Sequence, residues 1–172
     1  QLIEKGVESI MAEIELQTPV TAAEVTKLTV GDKIKLSGTV YTARDAAHER
    51  LIESLNQGQN LPFELQGAAL YYVGPAPAKP EEVIGSAGPT TSYRMDPFTP
   101  QLLNNGLKIM IGKGDRSCEV IEAMKETGAV YLAATGGAAA LISERIETME
   151  VIAYAELGTE AVRKLRGKDL PL

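Results

Sequence analysis

Two short segments concentrate the side chains able to do chemistry. Thr42-Ala-Arg-Asp-Ala-Ala-His48 holds the only histidine of the chain. Gly88-Pro-Thr-Thr-Ser-Tyr-Arg-Met-Asp-Pro-Phe-Thr-Pro100 sets Arg94 among the hydroxyls of Thr90, Thr91, Ser92 and Tyr93. Arg44 and His48 are four residues apart, so on a helix they share one face. Both fall near that helix's start, where the macrodipole favours anions. Arg94 offers the planar fork that a carboxylate accepts in a bidentate pair. Together these residues suit a small carboxylate better than a metal, for which no second ligand stands near His48. Each also has a plain structural alternative. His48 can be an ordinary core or surface histidine, and Arg94 can be a solvated loop residue paired with Asp96.

Two glycine turns add to the set. Gly112-Lys113-Gly114 lies between a predicted strand and a predicted helix, so its backbone N–H groups and Lys113 form a candidate anion nest. It is neither nucleotide motif. Gly106 is too far from Gly112-Lys113 for a P-loop, and Ser117 replaces the last glycine of G-x-G-x-x-G. The alternative is a tight turn with an exposed lysine. Thr135-Gly136-Gly137 follows another predicted strand, where the glycines allow a ligand close to the backbone and Thr135 can serve as a helix cap instead.

The elements that must hold these groups follow from periodicity. Thr21-Ala-Ala-Glu24 has capping-box spacing. Residues 33–41 alternate as a strand with an interruption at Gly38, and 43–56 repeat as a helix with Ala47, Leu51 and Leu55 on one face. An apolar strand is predicted over 66–73, then a proline-rich loop, then a surface loop over 85–96. Thr99 is expected to cap a helix that has Pro100 at its first position and Gly106 beyond its end. Strand and helix then alternate: strand 107–111, helix 116–127 closed by Gly128, strand 129–133, an alanine-rich helix to about Ile146 and strand 149–154. That alternation predicts an α/β fold with ligand loops at the carboxyl ends of parallel strands. The first half has fewer helices, so the sheet is expected to be mixed and only partly parallel, in a β/β/α layering. Leu170-Pro-Leu172 reads as the opening of another strand, so a further C-terminal piece is expected.

Composition bounds the function. At 172 residues the chain fits one domain with a full core, and 44% hydrophobic with 23% charged residues is ordinary for a soluble protein. A net charge of −6 argues against nucleic acid or an anionic membrane as partner. Cys118 is the only cysteine, which fits a cytoplasmic protein and leaves this chain unable to hold a zinc site or an iron–sulfur cluster by itself. It is expected to be at least partly buried. No apolar run reaches the length of a membrane span.

Five pieces in order resemble the β-type half of the iron–sulfur hydro-lyases, the class I fumarase and L-tartrate dehydratase family. They are Leu36-Ser-Gly-Thr-Val-Tyr-Thr-Ala-Arg-Asp-Ala-Ala-His48, Ala76-Pro77, Gly88 to Asp96, Ile111-Gly-Lys-Gly114 and Ala134-Thr-Gly-Gly137. The resemblance runs from about Pro19 to the end. It implies a swivelling β/β/α domain over 19–172, with residues 1–18 as an N-terminal extension. It implies reversible hydration of fumarate to L-malate, with a [4Fe–4S] cluster on an α-type partner subunit and none on this chain. L(+)-tartrate dehydration, or a non-catalytic dicarboxylate-binding module, are the alternatives. His48 and Arg94 take the place of substrate-carboxylate ligands, and Thr135 that of the group that abstracts a proton from carbon. Gly136, Lys113 and Arg44 join them as expected substrate-binding residues. Lys164 matches a further carboxylate-binding lysine, although Arg163 stands where other members carry an aromatic residue. The expected partners are the α-type subunit and a small dicarboxylate. Homo-oligomers of the isolated chain also fit a subunit that exposes a docking face.

Overall fold

A computed structural model describes residues 13–134 and 137–172. The chain opens with β1 (Glu13–Thr18) and a single helical turn, α1 (Ala22–Val25). β2 (Lys33–Thr42) leads into α2 (Asp45–Asn56), and β3 (Ala69–Tyr71) into a long loop that ends in a 3₁₀ turn, Ser92–Met95. α3 (Thr99–Asn104), β4 (Ile109–Gly112), α4 (Cys118–Thr127), β5 (Val130–Ala133) and α5 (Ala138–Glu144) follow. β6 (Ile146–Ala153), a 3₁₀ segment over Ala155–Glu160 and β7 (Val162–Pro171) close the fold.

The strands form one seven-stranded sheet in the order β5-β4-β3-β2-β7-β6, with β1 also on β2. β2, β3, β4 and β5 run parallel, while β6 and β7 run antiparallel to their neighbours. The expected mixed, partly parallel sheet is therefore observed. β2 is its spine. β1 pairs with residues 33–38 of it and β3 with residues 41–42, while β7 runs along nearly the whole strand. The interruption at Gly38 is a register shift against β7. Its φ of 102° favours glycine, and a Cβ there would stand 2.8 Å from the Thr18 carbonyl.

Period-two alternation splits the apolar residues between two cores. Leu36, Val40, Tyr71, Ile109, Ile111 and Leu165 pack on one face. Leu70, Tyr72 and Met110 point to the other, against Ala47 and Leu51 of α2 and Leu102 and Leu103 of α3. Because β3 and β4 are buried on both faces, they read in sequence as unbroken apolar runs.

Several local expectations change. The strand predicted over 66–73 shortens to Ala69–Tyr71, and α2 starts at Asp45 rather than 43. Thr99 is the first helical residue of α3, not its cap, and its hydroxyl donates back to the Met95 carbonyl at 2.8 Å. The 85–96 segment lies only partly at the surface, since Ala87, Ser92 and Met95 are buried while Tyr93 is exposed. Cys118 is exposed at the start of α4, where Ser117 is the cap. Leu170 closes β7 instead of opening a new strand, and Leu172 exchanges backbone hydrogen bonds with Ile34 at 2.8 and 2.9 Å. Residues 13–18, assigned to an extension on sequence grounds, form β1.

Candidate active site at the carboxyl ends of the parallel strands

Parallel strands bring their following loops to one edge of the sheet. β2 delivers Arg44 and α2 to that edge, β3 delivers the loop that returns as the Ser92–Met95 turn, and β4 delivers Gly112 and Lys113. β7 is antiparallel, so its first residues and the preceding Ala155–Glu160 segment reach the same edge.

Arg44 is the N-cap residue of α2, with extended backbone and no side-chain capping bond. Its carbonyl instead accepts twice from His48, from the backbone N–H at 2.9 Å and from the ring Nδ1 at 2.8 Å. A ring nitrogen facing a carbonyl must carry the proton, so the other nitrogen, Nε2, is a lone pair in the neutral ring. His48 is fully buried, with its ring 5.4 Å from that of Tyr72 and 5.8 Å from that of Phe98. Burial pulls its pKa down to about 4, against the Arg44 carbonyl and Asp45, which favour the charged form. At neutral pH the ring is therefore uncharged, and Nε2 is an acceptor rather than a donor or a cation. Nε2 is buried and finds no hydrogen-bond partner.

Arg94 does not pair with Asp96. Its Nε donates to Asp45 Oδ1 at 3.0 Å, and its side chain stays 45% exposed. Arg44 Nε lies between two carboxylates, 4.0 Å from Asp45 Oδ2 and 3.9 Å from Glu160 Oε1. All three of these atoms are buried without a hydrogen-bond partner. The structure thus brings Arg44 and Arg94 together through Asp45, and ties His48 to the Arg44 carbonyl. An exposed ion pair by itself contributes little. Four unpartnered buried polar atoms in one cluster are another matter, because each costs free energy that folding would ordinarily avoid.

The remaining candidates are placed less closely. Lys113 is exposed, but its backbone exchanges bonds with Ser92, two residues before Arg94, at 2.9 and 3.1 Å. Lys164 is exposed in β7 opposite Tyr41 and Glu150, one pair below the end of β2, and no ion pair to it forms among the described residues. Its neighbour Arg163 instead donates to the carbonyls of Gly158, Thr159 and Ala161, which holds the segment bearing Glu160. Thr135 and Gly136 lie outside the described residues. Ala134 N–H donates to the Gly112 carbonyl at 2.8 Å, so the chain reaches residue 134 beside the Gly112-Lys113 turn.

Just beyond that turn, the start of α4 is occupied by the protein itself. Asp96 accepts from Ser117 N–H at 2.6 Å and from Arg116 Nε at 2.7 Å. Arg116, whose side chain is only 3% exposed, also donates to Thr99 and Tyr72, with its guanidinium over the rings of Tyr72 and Tyr131. Tyr131 in turn bonds Ser92 at 2.9 Å. This buried network fixes the turn that carries Arg94. A cleft of about 890 Å³ opens beside it, between Tyr93 and Glu119. Its walls include Asp96 and Arg116, which are already paired to each other.

Sequence reasoning missed Asp45, Glu160 and Arg116. Asp45 sat in view between Arg44 and His48, and its place in the first turn of a predicted helix was the available signal. Nothing local marked Glu160, which reaches the site through β7.

Among the described residues no group of three or more His, Cys, Asp or Glu side chains could hold a metal ion. The chain has one cysteine, whereas a [4Fe–4S] cluster needs several thiolates, so these residues do not fit a resident cluster. Among them, no helix is long and apolar enough to cross a membrane.

Residues 2–172 match the family model described as Fumarase C-terminus. The chain is 36% identical over 173 residues to "Fumarate hydratase class I, aerobic" of Escherichia coli (strain K12), covering 98% of this chain and 32% of that protein. It is 35% identical over 175 residues to the anaerobic class I fumarate hydratase of the same strain, covering 99% and 32%. It is 39% identical over 150 residues to the "Putative L(+)-tartrate dehydratase subunit beta" of Methanocaldococcus jannaschii, covering 84% of this chain and 77% of that protein. The chain spans about a third of the length of the two fumarate hydratases.

Proposed function

The chain belongs to the Fumarase C-terminus family, and on that premise we propose that it is the β-type subunit of a hydro-lyase that adds water to fumarate, giving L-malate, and reverses the reaction. The observation that carries this reading is the cluster of Arg44, Asp45, His48, Arg94 and Glu160 at the carboxyl ends of the parallel strands, with four buried polar atoms unpartnered. Arg94 has spent its Nε on Asp45, which leaves its two terminal nitrogens for a substrate carboxylate. Arg44 lies at the start of α2, where the helix dipole adds to its attraction for an anion. Neutral, buried His48 holds the Arg44 carbonyl through its Nδ1–H and so steadies the start of α2, and its unpartnered Nε2 lone pair is the acceptor assigned to a substrate hydroxyl.

Thr135 is assigned to proton transfer at carbon, and Gly136, Lys113 and Lys164 to the edges of the substrate site. A threonine hydroxyl is a weak base, so this role needs an activating carboxylate from outside the chain. The iron–sulfur cluster expected of the reaction is assigned to an α-type partner, because this chain lacks the thiolates to hold one. The match to a protein named as a subunit β supports such a division of labour. The same match favours a second reading, dehydration of L(+)-tartrate, which differs from malate by one hydroxyl. A cytoplasmic location accords with this role and with one unpaired cysteine.

The test is anaerobic reconstitution with the α-type subunit from the same source, followed by assays of fumarate and tartrate turnover. Activity that needs both chains and falls at least 100-fold in Arg94→Ala, about 2.7 kcal/mol of transition-state stabilisation, is the expected result. Turnover of tartrate alone moves the substrate. A stable complex that turns over neither leaves a dicarboxylate-binding module.

A further inference from the structure

We propose that Asp45 is a positioning residue, which aims Arg94 at the substrate carboxylate before substrate arrives. This rests on the reading of Arg94 as a carboxylate ligand.

The argument begins with what Arg94 lacks. It stands on a four-residue 3₁₀ turn with its side chain 45% exposed. A free arginine side chain there would sample many rotamers, and selecting one on binding would weaken its grip. Asp45 removes that freedom. It is the first residue of α2, packed where the helix dipole favours a carboxylate, and its side chain is 28% exposed. The Arg94 Nε–Asp45 Oδ1 bond of 3.0 Å fixes the guanidinium plane from its inner corner. A guanidinium presents two bidentate edges, and only the edge formed by its two terminal nitrogens is free of this bond. Asp45 therefore selects which edge meets the ligand.

The second oxygen of Asp45 connects this residue to Arg44. Oδ2 is buried and unpartnered, 4.0 Å from Arg44 Nε, about 1 Å beyond a normal hydrogen bond. One carboxylate thus stands between both cations of the site, close enough to orient one and to follow the other. Two cations and two carboxylates leave the cluster near neutrality. That charge balance gives the proposal a sign. If Asp45 only neutralised Arg94, removing its charge would tighten binding of a dianion. If it positions Arg94, removing its charge weakens binding.

The experiment uses the complete enzyme, this chain assembled with its α-type subunit. KM and kcat for fumarate, and the inhibition constant of succinate, a non-reacting dicarboxylate, are measured for wild type, D45N, R94A and the double variant. D45N is expected to raise both KM and the succinate constant about 10- to 100-fold, with kcat changing less than about threefold. In the R94A background the same change should cost less than about twofold, because its target is gone. Asp45→Ser, which suits a helix start, replaces D45N if the asparagine variant does not fold. A lower KM in D45N, or an equal loss in both backgrounds, overturns the positioning role and leaves the Arg94 assignment standing. Wild-type KM and inhibition in R94A overturn the carboxylate reading itself, and the role of Asp45 with it.

Discussion

Acidifying the protein from pH 6.5 to pH 4 sets the burial of His48 against its affinity for a proton. In the unfolded chain the imidazole has its ordinary pKa of 6.5, whereas in the fold burial lowers it to about 4. Between these values the unfolded state binds a proton that the folded state refuses. Stability from this residue is thus complete above pH 6.5 and is lost as the pH falls towards 4. The full interval corresponds to about 3 kcal/mol, a large part of the stability of a small domain. The assay is urea unfolding at several pH values for wild type and His48→Asn. Asparagine keeps a short donor for the Arg44 carbonyl but does not titrate. Carboxylates titrate in both proteins and cancel in the difference, and no second histidine exists to confuse it. The stability difference between the two proteins should fall by about 3 kcal/mol between pH 7 and pH 4. Parallel curves would mean that His48 reaches solvent or is already charged, and the tautomer assignment would fall with them.

Three further outcomes follow from the packing. Asp96→Ala strands the Arg116 side chain, which is 3% exposed, and should cost about 3–5 kcal/mol in urea unfolding; less than 1 kcal/mol would contradict the buried network. A Cβ at Gly112 would stand 2.0 Å from Ser92 Oγ, so Gly112→Ala should destabilise by about 1–3 kcal/mol, with part of the loss recovered in Gly112→Ala/Ser92→Ala. No recovery would mean that Tyr72, 3.0 Å from the same position, is the harder obstacle. Cys118 should react with a thiol reagent in the folded protein, one equivalent per chain without denaturant; protection until unfolding would contradict its exposure.

Local signals in the sequence located the elements that obey local rules. The capping box at Thr21 and Glu24, the alternation along β2, the helical repeat of α2 and the glycine closing α4 were all visible, and all depend on neighbours within a few residues. β7 was not visible. Val162 to Pro171 mixes charges with few apolar residues, and it is a strand because β2 and β6 flank it on both sides. The burial of Ser92 escaped notice for the same reason, since Gly112 leaves the space it fills and Tyr131 bonds its hydroxyl. At the site, Arg44, His48 and Arg94 were legible as chemical types, but their partners were not. The pairing of Arg94 with Asp45 crosses 49 residues, and Arg44 meets Glu160 through the antiparallel half of the sheet. The charge of His48 was also out of reach, because burial decides it and burial is a property of the whole fold.

Residue 13 and the chain's last residues meet at the same place. Glu13 pairs with Lys33 and Pro171 with Lys35, both at the beginning of β2, while Arg44 and Asp45 follow its far end. Ten residues of strand separate these poles by roughly 30 Å. A fluorescent label or an affinity handle on the side chain of residue 172 would therefore sit at the end of the strands opposite the arginine cluster. An immobilised protein could be titrated with small dicarboxylates without its anchor obstructing them.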